Sequence, residues 1–292
     1  MTLPRHVRLL LAICLLAGIH AAQAITITDD RGRVLQFGQP PQRVVSLLPS
    51  LTESVCELQR CERLVGVDRY SNWPASVRRL PQVGGGLDPN IEAVVALRPD
   101  VVLLSVSSRV SDRLEALGVK VVALEPKTHA DVRRVLGVLG VLFAVPADQG
   151  AERVWRVIDA AVQAAAQSLP PRARGVRVYF EVSRGPYAAG ATSFIGETLA
   201  RLGVRNVVPA QLGPFPRLNP EFVMRAQPDV IMVANRSMQP MVLYPGWQNM
   251  AAVKEGRMCD FGPDQSDVVV RPGPRMAEAA RIMAGCLTEK FP

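Results

Sequence analysis

One phrase is written twice in this chain. IEAVVALRPDVVLL, Ile91 to Leu104, returns as PEFVMRAQPDVIMV, Pro220 to Val233. Glu92 and Glu221, Pro99 and Pro228, and Asp100 and Asp229 each stand 129 positions apart, so a helix, a breaker and a strand recur in register. Helically spaced apolar residues fill the first half of each phrase, and an unbroken aliphatic run fills the last. Proline disfavours helix in the residue before it and, with the aspartate, marks the hand-over to the strand. A period this long, present twice, fits duplication of a whole lobe and not a solenoid of short repeats.

The rest of the chain supplies what each lobe needs. Between Arg43 and Leu124 short Val/Leu runs (RVVSLL, LVGV, DVVLLS, VKVVAL) alternate with helical patterns such as SLTESVCELQ and SDRLEALG. Continuous apolar runs separated by amphipathic helices are the pattern of buried parallel strands with crossover helices. Ser50 with Glu53, and Thr128 with Asp131, fit the capping box that satisfies free amides at a helix start. Residues 147–169 contain no proline, are rich in alanine and carry Val154, Ile158 and Val162 at helical spacing, so they form one long helix closed by Pro170-Pro171. After it the same grammar restarts with VRVYFEV and ends in the helix GPRMAEAARIMAGCLTE. The expected fold is α/β: two similar lobes with central sheets, 25–146 and 171–292, joined by a single helix at 147–170. Ligands of open α/β sheets sit beyond the carboxyl ends of the strands, so two facing lobes would hold a ligand in the cleft between them.

The first 24 residues read as a cleaved secretory signal: Arg5 and Arg8 precede an apolar run that ends at the small-residue site Ala22-Gln23-Ala24. The apolar run is shorter than the roughly 20 residues a spanning helix needs. Cys14 is not a lipoprotein cysteine, because the preceding Ile13 is bulky. Cleavage places the protein in the periplasm and takes the net charge from +8 to +6, since two arginines and no acids are lost. The remaining basic residues are scattered arginines without a run or an aromatic platform, a solvated surface and not a nucleic-acid footprint. Four mature cysteines, Cys56, Cys61, Cys259 and Cys286, permit three pairings in an oxidising compartment. Closeness in sequence favours Cys56 with Cys61, leaving Cys259 with Cys286. His129 is the one histidine of the mature chain; at the start of a capped helix it reads as a surface residue, and a bare transition metal has no ligand set. A G-x-S-x-G elbow, C-x-x-C, H-E-x-x-H and a phosphate loop are all missing, so the chain is not expected to be an enzyme and calls for no cofactor.

RVVSLLPSLTE, LVGVDRYSNWP, LDPNIEAVVALRPDVVLL, LEALGVKVVALEP and PEFVMRAQPDVIMV together resemble the periplasmic binding proteins with a helical backbone that serve ABC importers, and within them the cobalamin binders. The resemblance covers almost all of residues 40–290. It implies two lobes bridged by a rigid helix, a monomer that hands cobalamin or a related corrinoid to the membrane permease subunits, with a ferric siderophore or haem as the alternative cargo. It implies that Glu92 and Glu221 sit on the rim of each lobe and dock on arginines of the permease; the competing reading is that both merely meet the dipole of their helix. Tyr70, Tyr187 and Phe215 match aromatic cleft positions, with Trp73 read as loop packing and Trp155 and Trp247 as core. Gly86 departs from the pattern, standing where a cobalamin binder has tryptophan. Arg271, with Arg275 and Arg184, is a candidate pin for an anionic group of the ligand.

Overall fold

The computed structural model describes residues 24–236 and 242–292, so all of the expected export signal but Ala24 lies outside the described residues. A hairpin of β1 (Ile25–Thr28) and β2 (Val34–Phe37) leads into the first lobe. Its sheet holds β3 (Val44–Ser46), β4 (Leu64–Val67), β5 (Val101–Leu104) and β6 (Val121–Ala123) in the order β4-β3-β5-β6, all parallel. The second lobe has β7 (Arg177–Ser183), β8 (Tyr187–Ala188), β9 (Arg205–Asn206), β10 (Val230–Ala234) and β11 (Met258–Phe261). There β9, β7, β10 and β11 pair in parallel, repeating the order of the first lobe strand for strand. The short β8 is an addition, turned back antiparallel onto the carboxyl end of β7.

The doubled phrase is a doubled device. Its helices are α2 (Ile91–Ala96) and α7 (Pro220–Ala226), counted after α1 (Pro49–Glu57). Asn90 and Asn219 cap their amino ends, accepting from the amides of Ala93 and Glu221. Each helix is followed by a residue in the left-handed region, Arg98 (φ 47°) and Gln227 (φ 45°). The aspartate of each Pro-Asp pair then accepts from the backbone that enters the neighbouring strand: Asp100 from Gln42 and Arg43 (2.7 and 2.9 Å), Asp229 from Arg177 (2.7 Å). Arg43 and Arg177 in turn donate to the last carbonyls of the helices, Leu97 and Arg98 in one lobe and Ala226 in the other. Helix ends leave such carbonyls without intrahelical partners; one arginine and one aspartate per lobe satisfy them and lock helix to sheet.

The remaining helices are α3 (Ser111–Ala116), α4 (His129–Leu142), α5 (Ala151–Gln167), α6 (Phe194–Arg201), α8 (Ala251–Lys254), α9 (Pro263–Val269) and α10 (Met276–Lys290). The joining helix α5 buries Val154, Ile158, Val162 and Ala165 on one stripe and packs against α10 and α4. Strand residues divide by parity, as the pleat requires. Val44, Val101, Leu103, Val178, Phe180, Val230 and Met232 belong to one buried cluster that also takes in α5, so both lobes share a core. The opposite faces, with Val45, Val102 and Leu104 in one lobe and Tyr179, Ile231 and Val233 in the other, pack separately. Disulfides join Cys56 to Cys61 and Cys259 to Cys286. Among the described residues no helix is long and apolar enough to cross a membrane.

Two local expectations need correction. Thr128 and Asp131 form a full capping box on α4, but Ser50 and Glu53 do not. Helix α1 starts at Pro49, two residues earlier than a Ser50 cap would place it, because proline suits the first helical position; its cap residue is Leu48, and no side chain caps it. His129 is 8% exposed and not a surface residue. Its Nε2 lies 2.8 Å from Thr198 Oγ1 and 3.1 Å from the Phe194 carbonyl, and its ring meets Trp155 edge-on. The imidazole thus ties α4 of the first lobe to α6 of the second, and burial pushes its pKa down.

Candidate functional site

The loops that leave the carboxyl ends of β3, β4, β5 and β6 surround a cavity of about 420 Å³, and Pro272, just before α10, closes it from the second lobe. Tyr70 and Gly86 both line it. Gly86 leaves no gap in the wall. A β-carbon there would stand 2.4 Å from the carbonyl oxygen of Leu47, so the backbone itself lies against the end of β3 and only glycine fits. The floor is polar: Asp68 is fully buried, accepting from Ser71 Oγ and the Tyr70 amide, and burial pushes its carboxyl up despite these bonds.

Large apolar side chains stay exposed where they gain nothing for the fold. Tyr70 is 55% exposed, Leu87 67% and Val106 40% in the first lobe, and Tyr187 40%, Phe215 36% and Val242 70% in the second. Tyr187 and Phe215 are brought together by the backbone: the loop at 214–218 runs beside β8, with Ala188 N–H donating to Pro216 O (2.9 Å) and Leu218 N–H to Pro186 O (3.0 Å). Phe215 also leans on the buried Phe194, ring centres 6.0 Å apart. Each lobe sets an arginine over its tyrosine, Arg69 over Tyr70 at 5.7 Å and Arg217 over Tyr187 at 6.0 Å.

Arg271 has other work than the pinning expected of it. It is 5% exposed, and its Nη1 donates to Glu53 Oε1 and Asn72 Oδ1 (both 2.8 Å), its Nη2 to the Tyr70 carbonyl (2.9 Å) with Asp267 Oδ2 at 2.7 Å. Arg275 adds two bonds to Glu53 (3.0 and 2.7 Å) and lies 5.1 Å from the Trp73 ring centre. Glu53, 1% exposed, therefore holds two guanidinium groups of the other lobe, and the loop that carries Tyr70 is fastened to α9 and α10. Sequence reading missed this cluster because the partners are 218 residues apart in the chain. Arg184 is likewise committed, donating to the Val242 carbonyl and lying over Tyr244 at 4.4 Å. Tyr244 donates to Glu181 (3.0 Å) and accepts from the Gly185 amide (3.0 Å), which fixes the turn before Tyr187; burial pushes the Glu181 carboxyl up. Trp247 is core, meeting Tyr179 edge-on and Tyr244 at a tilt.

Glu92 and Glu221 occupy the second position of α2 and α7, both exposed. The asparagines supply the side-chain caps, and both glutamates lie in the first turn of their helices. Glu221 stands 3.8 Å from Arg225, and Glu92 has no partner among the described residues.

Residues 44–264 match the model of the periplasmic binding protein family. The chain belongs to that family. The uncharacterized ABC transporter substrate-binding lipoprotein YvrC of Bacillus subtilis is 26% identical over 89% of this chain and 84% of its own length. The vitamin B12-binding protein of Pectobacterium atrosepticum is 25% identical over 85% and 89%. Among solved structures, a periplasmic heme-binding protein of Pseudomonas aeruginosa superposes with a TM-score of 0.72 at 26% identity, covering 86% of this chain and 94% of that one. As a periplasmic binding protein of an ABC importer this chain binds a small ligand, pairs with the permease subunits and is not an enzyme.

Proposed function

We propose that this chain is exported to the periplasm, captures cobalamin or a related corrinoid and passes it as a monomer to the permease of an ABC importer. The observation that carries the reading is the exposed Tyr70 and Leu87 at the polar-floored cavity of the first lobe, with Tyr187 and Phe215 exposed beside one another on the second. A large, flat, partly apolar ligand with polar edges is best held by such walls. The similarity to a vitamin B12-binding protein supports it. Haem or a ferric siderophore is the second reading, favoured by Arg69 and Arg217 beside the two tyrosines, which suit anionic groups. Titration of the mature protein with cyanocobalamin and, separately, with haemin, followed by tryptophan quenching corrected for ligand absorption, decides between them. Saturable one-to-one binding of cyanocobalamin, weakened about tenfold or more by Tyr187→Ala as for an aromatic anchor, is the expected result. Binding of haemin alone would replace the corrinoid.

Glu92 and Glu221 are proposed as the docking contacts. Two like charges at matching places on duplicated lobes suit a partner with two-fold symmetry. Exposed pairs are worth up to ~1 kcal/mol each and act chiefly through steering and register. Glu92→Lys with Glu221→Lys should abolish uptake in cells and leave ligand affinity intact; unchanged uptake would remove the proposal.

A further inference from the structure

We infer that Arg217 is the anion-recognition residue of the cleft: the free fork of its guanidinium takes a phosphate or carboxylate of the ligand and turns the ligand's anionic edge toward the second lobe. The inference rests on the reading of a flat ligand lying on Tyr187 and names the group that sets its orientation.

Arg217 is exposed and stands opposite Tyr187 in an antiparallel bridge between β8 and the loop at 214–218. Its Nε donates to the Gly185 carbonyl (2.8 Å), and its guanidinium carbon lies 6.0 Å from the Tyr187 ring centre. One donor is thereby spent on orientation. Neither η nitrogen has a hydrogen-bond or ion-pair partner among the described residues. The parallel N–H groups of that edge are the ones that meet a carboxylate or phosphate in pairs. Gly185 is itself held, since its amide donates to Tyr244 Oη (3.0 Å) and Tyr244 donates to Glu181 (3.0 Å). The fork is therefore in place before a ligand arrives, and little ordering is left to oppose binding.

The other arginines of the site are already engaged. Arg69, the counterpart over Tyr70, gives its Nη2 to Asp88 (3.0 Å). Arg184 donates to the Val242 carbonyl, and Arg271 and Arg275 are taken by Glu53. The first-lobe cavity has the opposite character: Asp68, Asp88 and Glu125 line it, with no arginine, lysine or histidine among its described lining residues. Glu125 rests its Oε2 on Ser105 Oγ (2.9 Å) and the Ser107 amide (3.1 Å), while Oε1 has no partner among the described residues. That wall offers acceptors and repels an anion. The two walls adjoin, because the Phe194 amide donates to the Lys127 carbonyl (2.7 Å), on the same loop as Glu125, and the Phe194 ring carries Phe215. A ligand with an anionic group at one edge of its ring system meets acceptors on one side and a free guanidinium on the other. Complementarity of this kind fixes orientation more than it adds affinity.

The test pairs cyanocobalamin, which carries a phosphodiester, with dicyanocobinamide, the same ring without phosphate or nucleotide, each titrated against the mature protein and its variants. Arg217→Gln should weaken cyanocobalamin about tenfold, the worth of a hydrogen bond to a charged group, and leave dicyanocobinamide unchanged. Arg217→Lys keeps the charge without the fork and should recover only part of the loss. Tyr187→Ala should weaken both ligands, because both lay their ring on it. Equal losses on the two corrinoids with Arg217→Gln, or no loss on either, would overturn the inference and leave the corrinoid reading standing. Binding of haemin alone would overturn the corrinoid reading and put carboxylates in the place of the phosphate. Arg217→Gln should then weaken haemin and spare its dimethyl ester, and equal effects on those two would overturn the inference as well. A protein that binds none of these ligands would overturn both.

Discussion

Glu53 shows how one side chain takes its meaning from the far end of the chain. Four positions into α1 it looks like the partner of a capping serine, yet its carboxylate lies against Arg271 and Arg275. Removing the charge from a buried cluster leaves its partners uncompensated, which costs more than the cluster contributes when whole. Glu53→Gln should therefore lower the unfolding free energy by about 3 kcal/mol or more, read by urea denaturation, and should loosen ligand binding because Arg271 also holds the Tyr70 carbonyl. His129 gives a second residue-scale test. Its folded pKa is depressed by burial, whereas the unfolded imidazole protonates near 6.5. Below that value the unfolded state binds the extra proton, so the stability tied to His129 is complete above pH 6.5 and is lost as pH falls toward the folded value. Wild type should lose more stability between pH 7.5 and pH 5 than His129→Gln does; equal losses would mean that the imidazole is not held neutral.

At the scale of the element, the doubled phrase was the most legible part of the chain. Helix, proline, aspartate and strand all fall where periodicity and breakers put them, because these signals lie within a few residues of one another. What the phrase is for became clear only with the sheet in place. Asp100 and Asp229 reach a strand that comes far earlier in the chain, and Arg43 and Arg177 answer from it. Asn90 and Asn219 are the local part of the device. Asn90→Ala and Asn219→Ala should each cost about 1 kcal/mol, the usual worth of a lost cap, with additive effects since they serve separate lobes. A double variant no weaker than one single would argue that the caps are not independent.

For the molecule as a whole, the shared core decides how the lobes relate. Residues of both sheets pack with α5 in one cluster, and the Glu53 and His129 contacts tie the lobes at two further places. Opening the cleft would shear close-packed side chains, so the two lobes should hold nearly the same separation with and without ligand. Small-angle scattering, with an unchanged radius of gyration on ligand addition, checks this. The disulfides act on the unfolded chain instead. Cys56–Cys61 spans 5 residues and Cys259–Cys286 spans 27. Loop-closure entropy makes the longer bridge the stronger by about 1 to 2 kcal/mol. Cys286→Ala with Cys259→Ala should cost that much more than the same change at Cys56 and Cys61, and four alkylated thiols in the unreduced protein would overturn both pairings.

The sequence by itself determined the α/β architecture, the duplication and the joining helix, and it singled out Tyr70, Tyr187 and Phe215, which the structure leaves exposed. Each is written in periodicity, in breakers or in a side chain too apolar for its loop. Only the tertiary structure decided that Gly86 is a floor pressed on Leu47, that Arg271 and Glu53 clasp the lobes, and that His129 is buried. Those outcomes depend on contacts between segments tens to hundreds of residues apart, where burial and partner geometry, and not local pattern, set what a charged or polar group can do.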